Sequence, residues 1–367
     1  MTEARFADDM LFASGEDPVL AAAQNLLRTP PPAVSEAQAA DFAARHYGRT
    51  ASVRLLTGER DRNFLLSGAD GWQAILKFYN AVDDAPTRAL QHGALLHVQS
   101  RDPACPVPRL FPTRSGEAEA TDRIGALPVA AVLISRLPGI NPVAADLSPR
   151  LRMNVGRVIG ELAAALADYA HPGVRRTILW DIMQVAHLRP LTALVAEPER
   201  RAALELWLDG FATDTMPLLR ALPQQPIHND LSLSNLLVDP DTRSNVVGVI
   251  DFGDIVHAPR INELAIAASY FLSPLDEPAQ AIADILRGAA ANLHLTTAEI
   301  AAMPALIRAR LATRILLSGW RARLFPDNRD YILRSNRAAW LIWDRLQASP
   351  ADLPARLVDL CAGARPG

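Results

Sequence analysis

Residues 226–265 decide the fold of this chain, and they read PIHNDLSLSNLLVDPDTRSNVVGVIDFGDIVHAPRINELA. Two short apolar runs, 236–238 and 246–250, are separated by a turn sequence that begins Asp-Pro-Asp. Short apolar runs bounded by turn residues predict buried strands, and two of them joined by a turn predict a hairpin. Such a hairpin would bring Asn235, just before the first strand, next to Asp251, just after the second.

The polar residues around this hairpin have the types and the order that phosphoryl transfer requires. Residues 228–235 fit the pattern H-x-D-L-x-x-x-N, and Asp251 begins an Asp-Phe-Gly sequence. In that chemistry one carboxylate orients and deprotonates the attacking hydroxyl, while a second carboxylate and an amide oxygen hold Mg²⁺ on the phosphates. Asp230, Asp251 and Asn235 supply these groups. Turn chemistry would explain each cluster singly, but not their order and separation.

Composition limits the class of protein. The chain has 367 residues, half of them hydrophobic, which is enough for two or three domains with a sizeable core. Its cysteines, Cys105 and Cys361, lie far apart in sequence, which favours a reducing compartment over a disulfide framework. No apolar run could span a bilayer, and a net charge of −3 gives no general attraction to nucleic acid or membranes. We therefore expect a cytoplasmic protein without nucleic-acid or membrane partners, and its oligomeric state stays open.

One lysine stands out among the basic residues. Of the 37 lysines and arginines, only Lys77 is a lysine. An ammonium group and a guanidinium group are not interchangeable at a phosphate or Schiff-base site, so a chain that otherwise uses arginine has a chemical reason to keep this one. Lys77 lies near the end of the third of three strand-like segments, 53–56, 63–66 and 72–78.

The period of the apolar residues divides the chain into three parts. Residues 1–47 read as a helical N-terminal extension, in which Ser35 and Gln38 are spaced for a capping box. Residues 48–137 read as a small antiparallel sheet with a nucleotide-phosphate loop and the lysine. Residues 138–367 read as a mostly helical lobe with the catalytic loop and an acceptor site.

Together these features resemble the aminoglycoside phosphotransferase-like small-molecule kinases, which include choline, homoserine and hydroxylysine kinases. The resemblance spans about Leu27 to Leu346, and Trp180-Asp181 with residues 318–321 is similar to the hydroxylysine-kinase branch. It implies a protein-kinase-like α+β fold, with a small antiparallel sheet, a mostly helical lobe, and the nucleotide between them. The other segments that carry the resemblance are 59–64, 75–77, 228–235, 251–254 and 263–265.

The resemblance implies a role for each residue that matches the family pattern. Asp230 would be the catalytic base, Asn235 and Asp251 the Mg²⁺ ligands, and Lys77 the group on the α- and β-phosphates of ATP or GTP. The same resemblance implies two supporting residues, which are His228 behind the catalytic loop and Glu263 on the loop backbone.

The turn between the first two strands lies where a kinase places the loop that covers the ATP phosphates. It has a single glycine, Gly58, and so departs from the glycine-rich pattern. Gly58, Arg60 and Asn63 are the predicted nucleotide-binding residues of this turn. Arg60 and Arg62 would either add charge-assisted bonds to phosphate oxygens or lie solvated.

A kinase also uses a helix after this sheet to present a glutamate to the strand lysine. The helix predicted over 84–99 has Gln91 at that place, which would hydrogen-bond an ammonium group but not neutralise it. Asp83 and Asp84 are the other predicted partners of Lys77, and the sequence does not choose among the three.

The class of molecule that carries the acceptor hydroxyl is predicted from the charged residues of one segment. Residues 301–345 contain nine arginines and three aspartates, which suits an acceptor with a carboxylate better than a polycation. Arg321 or Arg323 would clamp that carboxylate, with Trp320 beside them, unless these arginines form a solvated helix face. Asp254 would meet an amino group. A hydroxy-amino acid or an amino alcohol fits these expectations.

Two other functions compete with a small-molecule kinase. In the first, Lys77 forms a Schiff base with pyridoxal phosphate, which would leave the acidic clusters without a role. In the second, the chain is a nucleotide-binding or protein-kinase-like module, for which the absent helix glutamate is the support.

Overall fold

The computed structural model describes residues 17–58 and 60–362. The start of the predicted N-terminal extension and Glu59 of the predicted phosphate turn lie outside the described residues. The described part of the extension forms helix α1 (Pro18–Arg28) and helix α2 (Glu36–Tyr47). Both helices precede the sheet.

The start of α2 follows from its sequence. The Ser35 hydroxyl accepts the Gln38 N–H, and the Gln38 side-chain oxygen accepts the Ser35 N–H at 2.9 Å, which confirms the predicted capping box. The buried face of α2 packs on the sheet, where the rings of Phe42 and Phe78 meet edge to face at 4.9 Å. The helix therefore closes one face of the smaller lobe.

The smaller lobe is an antiparallel sheet with strand order β1-β2-β3-β6-β4, in which β5 also pairs with β6. In its register Asn63 of β2 lies opposite Lys77 of β3. Because side chains alternate along a strand, Leu76 and Phe78 enter the core with α2 while Lys77 points to the opposite face. The strands are β1 (Ser52–Leu55), β2 (Arg62–Ser67), β3 (Gln73–Phe78), β4 (Leu110–Phe111), β5 (Ala120–Ile124) and β6 (Leu127–Ser135), and helix α3 (Ala85–Arg101) follows β3.

The chain enters the larger lobe through a bend at Gly139. Gly139 has φ 104°, and a Cβ there would lie 2.8 Å from the Val238 carbonyl oxygen, so only glycine fits. The next residue, Ile140, exchanges backbone hydrogen bonds of 2.8 and 2.9 Å with Val238. β6 ends at Ser135, and the domain boundary predicted at residue 137 stays a prediction.

The larger lobe is mostly helical. The strands of the segment 226–265 form two small antiparallel pairs, β8–β9 and β7–β10. The predicted hairpin is confirmed, because β8 and β9 pair. None of the helices in the described part of the chain is long and apolar enough to cross a membrane. The elements are α4 (Pro149–Leu166), α5 (Pro198–Gly210), α6 (Met216–Arg220), β7 (Gln224–Ile227), β8 (Leu236–Val238), β9 (Val246–Val249), β10 (Val256–Pro259), α7 (Ile261–Phe271), α8 (Pro278–Ala289), α9 (Thr297–Leu324), α10 (Arg329–Leu333), α11 (Asn336–Gln347) and α12 (Leu353–Ala362).

Candidate active site

The loop after β7 is held in shape by one buried carboxylate. Glu263, in the first turn of α7, accepts the backbone N–H groups of His228 and Asn229, the latter at 3.1 Å. Asn229 has φ 68°, a left-handed conformation that few residues other than glycine adopt and that asparagine tolerates. Burial raises the pKa of Glu263 to about 7, and the two N–H donors oppose that rise. Glu263 therefore fixes the turn that presents Asp230.

His228 connects the two halves of the site through its ring. Nε2 donates to the Ile250 carbonyl at 3.1 Å, and Nδ1 accepts the Asp230 N–H at 3.3 Å. A neutral imidazole makes both bonds, and burial lowers the pKa of His228 to about 4. The ring also packs edge-on against Phe252 at 4.8 Å between centroids. His228 thus ties the Asp230 loop to the strand that leads into Asp251.

The Asp230 carboxylate faces one amide and one guanidinium group. Asn235 Nδ2 donates to Asp230 Oδ2 at 2.6 Å, and Arg310 Nη2 donates to Oδ1 at 2.7 Å. The first bond turns the side-chain oxygen of Asn235 away from the Asp230 carboxylate. Burial raises the pKa of Asp230 to about 7; Arg310 opposes the rise, and the negative charge of Asp254 adds to it. A carboxylate in this environment is a better proton acceptor than an exposed aspartate.

Asp251 lies at the end of the hairpin and faces Lys77 of the smaller lobe. The Ile250 N–H donates to the Asn235 carbonyl at 2.9 Å, which makes Asn235 and Asp251 neighbours in space. Asp251 has φ 67°, a rare left-handed conformation, and its Oδ1 accepts the Gly253 N–H at 3.2 Å. Lys77 Nζ lies 3.6 Å from Asp251 Oδ1, and its positive charge lowers the pKa of Asp251. The two lobes thus bring together the predicted phosphate and metal ligands.

Lys77 forms its shortest ion pair with an aspartate of the predicted phosphate turn. Lys77 Nζ lies 2.7 Å from Asp61 Oδ2. Burial alone would lower the pKa of Lys77, but the charges of Asp61 and Asp251 raise it well above its ordinary value. Lys77 is therefore a permanent ammonium ion in this site.

Among the described residues the ion pairs of Lys77 are with Asp61 and Asp251, and not with Asp83 or Asp84, which were two of its three predicted partners. Asp83 is buried and pairs with Arg60. Asp84 is the N-cap of α3 and accepts a backbone N–H of its first turn at 2.9 Å. Gln91 is buried within α3. The carboxylate that pairs with the strand lysine comes from Asp61 in the turn, whereas the kinase pattern takes it from the helix after the sheet.

Helix α3 is joined to the sheet through a separate polar network. Arg88 makes two hydrogen bonds to the Glu119 carboxylate at 2.8 and 3.0 Å. His92 Nε2 lies 2.7 Å from the Tyr79 hydroxyl and 4.0 Å from the Glu119 carboxylate. Burial lowers the pKa of His92 to about 4, against a smaller opposing effect of Glu119. The helix is therefore anchored without a direct bond to the lysine.

We expect His92 to make stability depend on pH. Its folded pKa of about 4 lies below the ordinary value of 6.5, so between these values the unfolded chain takes up a proton that the folded chain excludes. The free energy of unfolding should therefore fall as the pH drops through this window. His92→Gln should reduce that fall by about 1–3 kcal/mol in urea titrations at about pH 7 and about pH 4.5. The exposed His294, replaced by Gln, is the control, and an equal fall in all three proteins would refute the expectation.

The predicted phosphate turn folds tightly on itself. A Cβ at Gly58 would lie 2.8 Å from the Asp61 carbonyl oxygen and 3.1 Å from Asn63 Nδ2, so the turn needs a glycine there. Arg60 points toward the smaller lobe and pairs with Asp83. Gly58 thus lies against Asp61 and Asn63, and Asn63 lies opposite Lys77 in the sheet, whereas Arg60 contacts Asp83.

Three residues predicted to bind the acceptor lie on the last turns of α9. Trp320 is fully buried in the hydrophobic core, which gives it a packing role instead of a place on an open surface. Arg321 and Arg323 are partly exposed. Arg321 follows Arg310 by three helical turns, so their Cα atoms are about 16 Å apart along the helix axis. The arginine that reaches Asp230 is thus an earlier one.

Arg310 is a site residue that the sequence analysis did not identify. It is fully buried, bonds to Asp230 and to the Trp180 carbonyl, and lies over the Trp180 ring at 5.1 Å. Arg314, one turn further on, covers the Tyr270 ring at 3.9 Å. The two arginines are four residues apart, which puts them on one helix face. This spacing can be read from the sequence. Nothing in the sequence says that this face meets Asp230.

The remaining predicted residue, Asp254, lies beside Asp251, the predicted metal ligand. It is partly buried, and burial together with the charge of Asp251 raises its pKa. Arg176, a further residue that the sequence did not single out, donates to the carbonyls of Gly253 and Ile255 and so holds this turn. The turn therefore presents two carboxylates to the cleft.

The donor set fits a hard divalent cation that is shared with phosphates. Asp251, whose side chain is 54 % exposed, and the side-chain oxygen of Asn235 are oxygen ligands on adjoining strand ends. Among the described residues no group of three or more His, Cys, Asp or Glu side chains forms a closed metal site. Mg²⁺ is commonly held by one or two protein oxygens and completed by water and substrate phosphates. The site has the ligands for such binding and lacks those of a structural zinc site.

Comparison with known proteins decides the family. The family model described as phosphotransferase enzyme family matches residues 52–296, more than half of the chain. The chain belongs to this family. It is therefore a phosphotransferase that acts on a hydroxyl group, as the sequence predicted, and the Schiff-base alternative for Lys77 is wrong.

Individual relatives of this phosphotransferase are small-molecule kinases. Hydroxylysine kinase of Danio rerio is 24% identical over 319 residues, which cover 83% of this chain and 89% of the relative. Hydroxylysine kinase of Xenopus laevis is 23% identical over 331 residues, with 84% and 88% covered. These similarities make the phosphotransferase a kinase of small hydroxylated molecules.

Solved structures show the same fold. An amicoumacin kinase in complex with AMP-PNP and Ca²⁺ superposes with a TM-score of 0.62 at 16% identity, covering 90% of this chain and 93% of the other. A microcompartment-associated aminopropanol kinase superposes with a TM-score of 0.53 at 19% identity, covering 89% and 94%. The predicted α+β protein-kinase-like fold, with its antiparallel sheet and mostly helical lobe, is confirmed.

Proposed function

We propose that this phosphotransferase moves the γ-phosphoryl group of Mg²⁺-bound ATP or GTP to the hydroxyl of an amino alcohol or a hydroxy-amino acid, of the hydroxylysine or homoserine type. One observation carries the proposal. Lys77 Nζ of the smaller lobe lies 3.6 Å from Asp251 Oδ1 of the larger, and Asn235 bonds both to Asp230 and to Ile250, the residue before Asp251. A phosphate ligand, metal ligands and a base thus face one cleft.

Each side chain has a distinct task in this reaction. Asp230 accepts the proton of the acceptor hydroxyl at its carboxylate, which turns the oxygen into a better nucleophile. Lys77 binds the α- and β-phosphate oxygens through its ammonium group. Asn235 and Asp251 would hold Mg²⁺, which when bound would neutralise charge on the phosphates. Arg310 and His228 keep Asp230 in orientation through its carboxylate and its backbone N–H.

The charges near Asp230 support an acceptor with an amino group. Asp254 and Asp230 are carboxylates with raised pKa values, and a cationic amine between them would be attracted to both. The proteins named hydroxylysine kinase and aminopropanol kinase act, by name, on molecules that have an amino group and a hydroxyl. The predicted carboxylate clamp by Arg321 and Arg323 is not part of this proposal, because Arg321 lies about 16 Å along α9 from Arg310, which contacts Asp230.

A coupled assay of nucleotide diphosphate release tests the function. Hydroxylysine, homoserine, ethanolamine and 1-amino-2-propanol are offered with ATP and with GTP, alongside matched alcohols that lack the amino group. We expect release that depends on an aminated acceptor and on Mg²⁺, and that disappears in Asp230→Asn. Release that does not depend on any acceptor, or equal use of alcohols without the amine, would reject the proposed acceptor class.

A further inference from the structure

The negative charge that pairs with Lys77 belongs to a loop residue, Asp61. The Asp61 carboxylate belongs to the turn between β1 and β2, and its Oδ2 lies 2.7 Å from Lys77 Nζ. The side chains of Asp61 and Lys77 are only 11 % and 13 % exposed, so the pair is shielded from water and held more firmly than a surface pair. The protein-kinase pattern places this carboxylate on the helix after the sheet.

The Asp61 carboxylate is fixed on both of its oxygens. Oδ1 accepts the Asn80 backbone N–H at 2.9 Å, while Oδ2 faces Lys77. The buried Asn80 side chain donates to the Arg60 carbonyl at 2.9 Å and to the Pro30 carbonyl at 3.2 Å, so it braces the turn from the other side. A carboxylate with this support has one orientation, which is the property that a positioning residue needs.

We propose that Asp61 is the positioning residue of Lys77 and replaces the helix glutamate of the protein-kinase pattern, so that the phosphate turn and the lysine act as one unit. The turn that approaches the nucleotide phosphates then also orients the ammonium group that binds them. Helix α3 is anchored through Arg88 to Glu119 and through His92 to Tyr79, and neither of these bonds is to Lys77. The inference builds on the proposed function, because it assigns Lys77 to the nucleotide.

The single lysine of the chain allows a test that needs no catalysis. Lysine labelled with ¹³C at Cε gives one signal, that of Lys77, in an untagged or lysine-free-tagged protein. The isosteric Asp61→Asn keeps an acceptor for the Asn80 N–H and should preserve the fold. We expect it to shift and sharpen the Lys77 signal, because the ammonium group loses its charged partner and gains freedom. Asp122→Asn, which removes a paired carboxylate of the same sheet, should leave the signal in place.

The same spectrum distinguishes the turn from the helix. Gln91→Met is expected to leave the Lys77 signal unmoved. An unmoved signal in Asp61→Asn, or a shift in Gln91→Met as large as that in Asp61→Asn, would overturn the proposal.

Kinetics provide the second arm. Asp61→Asn should raise KM for the nucleotide by about 10–100-fold, the effect of losing a hydrogen bond to a charged group. In a Lys77→Met background the same substitution should change KM by less than about threefold, because Asp61 acts through the lysine. If Asp61→Asn raises KM as much in the Lys77→Met background as in the wild type, the positioning role is refuted. An inactive wild type whose Lys77 signal still responds to Asp61→Asn would reject the proposed function and leave the pair intact.

Discussion

Replacement of Asp230 by asparagine is expected to lower kcat by about 10²–10⁴-fold, because proton transfer by a positioned base contributes that much to the rate. Asn235 and Arg310 both donate to this side chain, and an asparagine oxygen can still accept one of these bonds. The fold and the nucleotide site should therefore persist. KM for the nucleotide should change by less than about threefold, since the base acts mainly in the transition state.

Steady-state kinetics with saturating acceptor and varied nucleotide measure both parameters. Asp241→Asn is the matched control, because Asp241 is an exposed aspartate in the turn of the same hairpin. It should leave both parameters near those of the wild type. A loss of nucleotide affinity in Asp230→Asn as large as the loss in kcat would show that this carboxylate binds the nucleotide complex and is not the base.

Arg310→Met is expected to lower the free energy of unfolding by about 3–5 kcal/mol, the usual cost of breaking a buried pair by removal of one partner. Arg310 is fully buried and contacts Asp230, the Trp180 carbonyl and the Trp180 ring. Methionine fills a similar volume but leaves the carbonyl and the carboxylate without their donor. The same change should lower kcat, because Asp230 loses the group that orients it.

Urea unfolding followed by circular dichroism measures this effect. Arg189→Met is the matched control, since Arg189 also makes two hydrogen bonds to a carboxylate, that of Asp209, but both side chains are about half exposed. Exposed pairs contribute less than about 1 kcal/mol. Similar losses in the two variants would mean that Arg310 does not stabilise the site.

The reacting groups of the larger lobe were predictable because they are encoded locally. Asn235 and Asp251 flank a hairpin whose strands and turn are all contained in one short segment. Pairing of adjacent strands then fixes their proximity without reference to the rest of the chain. Asp230 lies five residues before Asn235, close enough for the Asn235 amide to bond to it directly.

The counter-charge of Lys77 was not predictable in this way. The prediction offered Gln91, Asp83 and Asp84 without choosing among them, whereas the structure has Asp61 in the turn. The position of Asp61 depends on how the turn is braced by Asn80. A bond of this kind depends on side-chain packing, which sequence spacing does not specify.

The sequence by itself determined the chemical types of the predicted reacting groups: the order of Asp230, Asn235 and Asp251 around one hairpin, and the retention of a single lysine in an arginine-rich chain. Only the tertiary structure decided which charges surround these groups. Arg310 reaches Asp230 from 80 residues further along the chain, and Trp320 on the same helix is turned into the core. The physical reason is that strand pairing and turns are fixed over a few residues, whereas the rotation of α9 is fixed by the packing of the whole lobe.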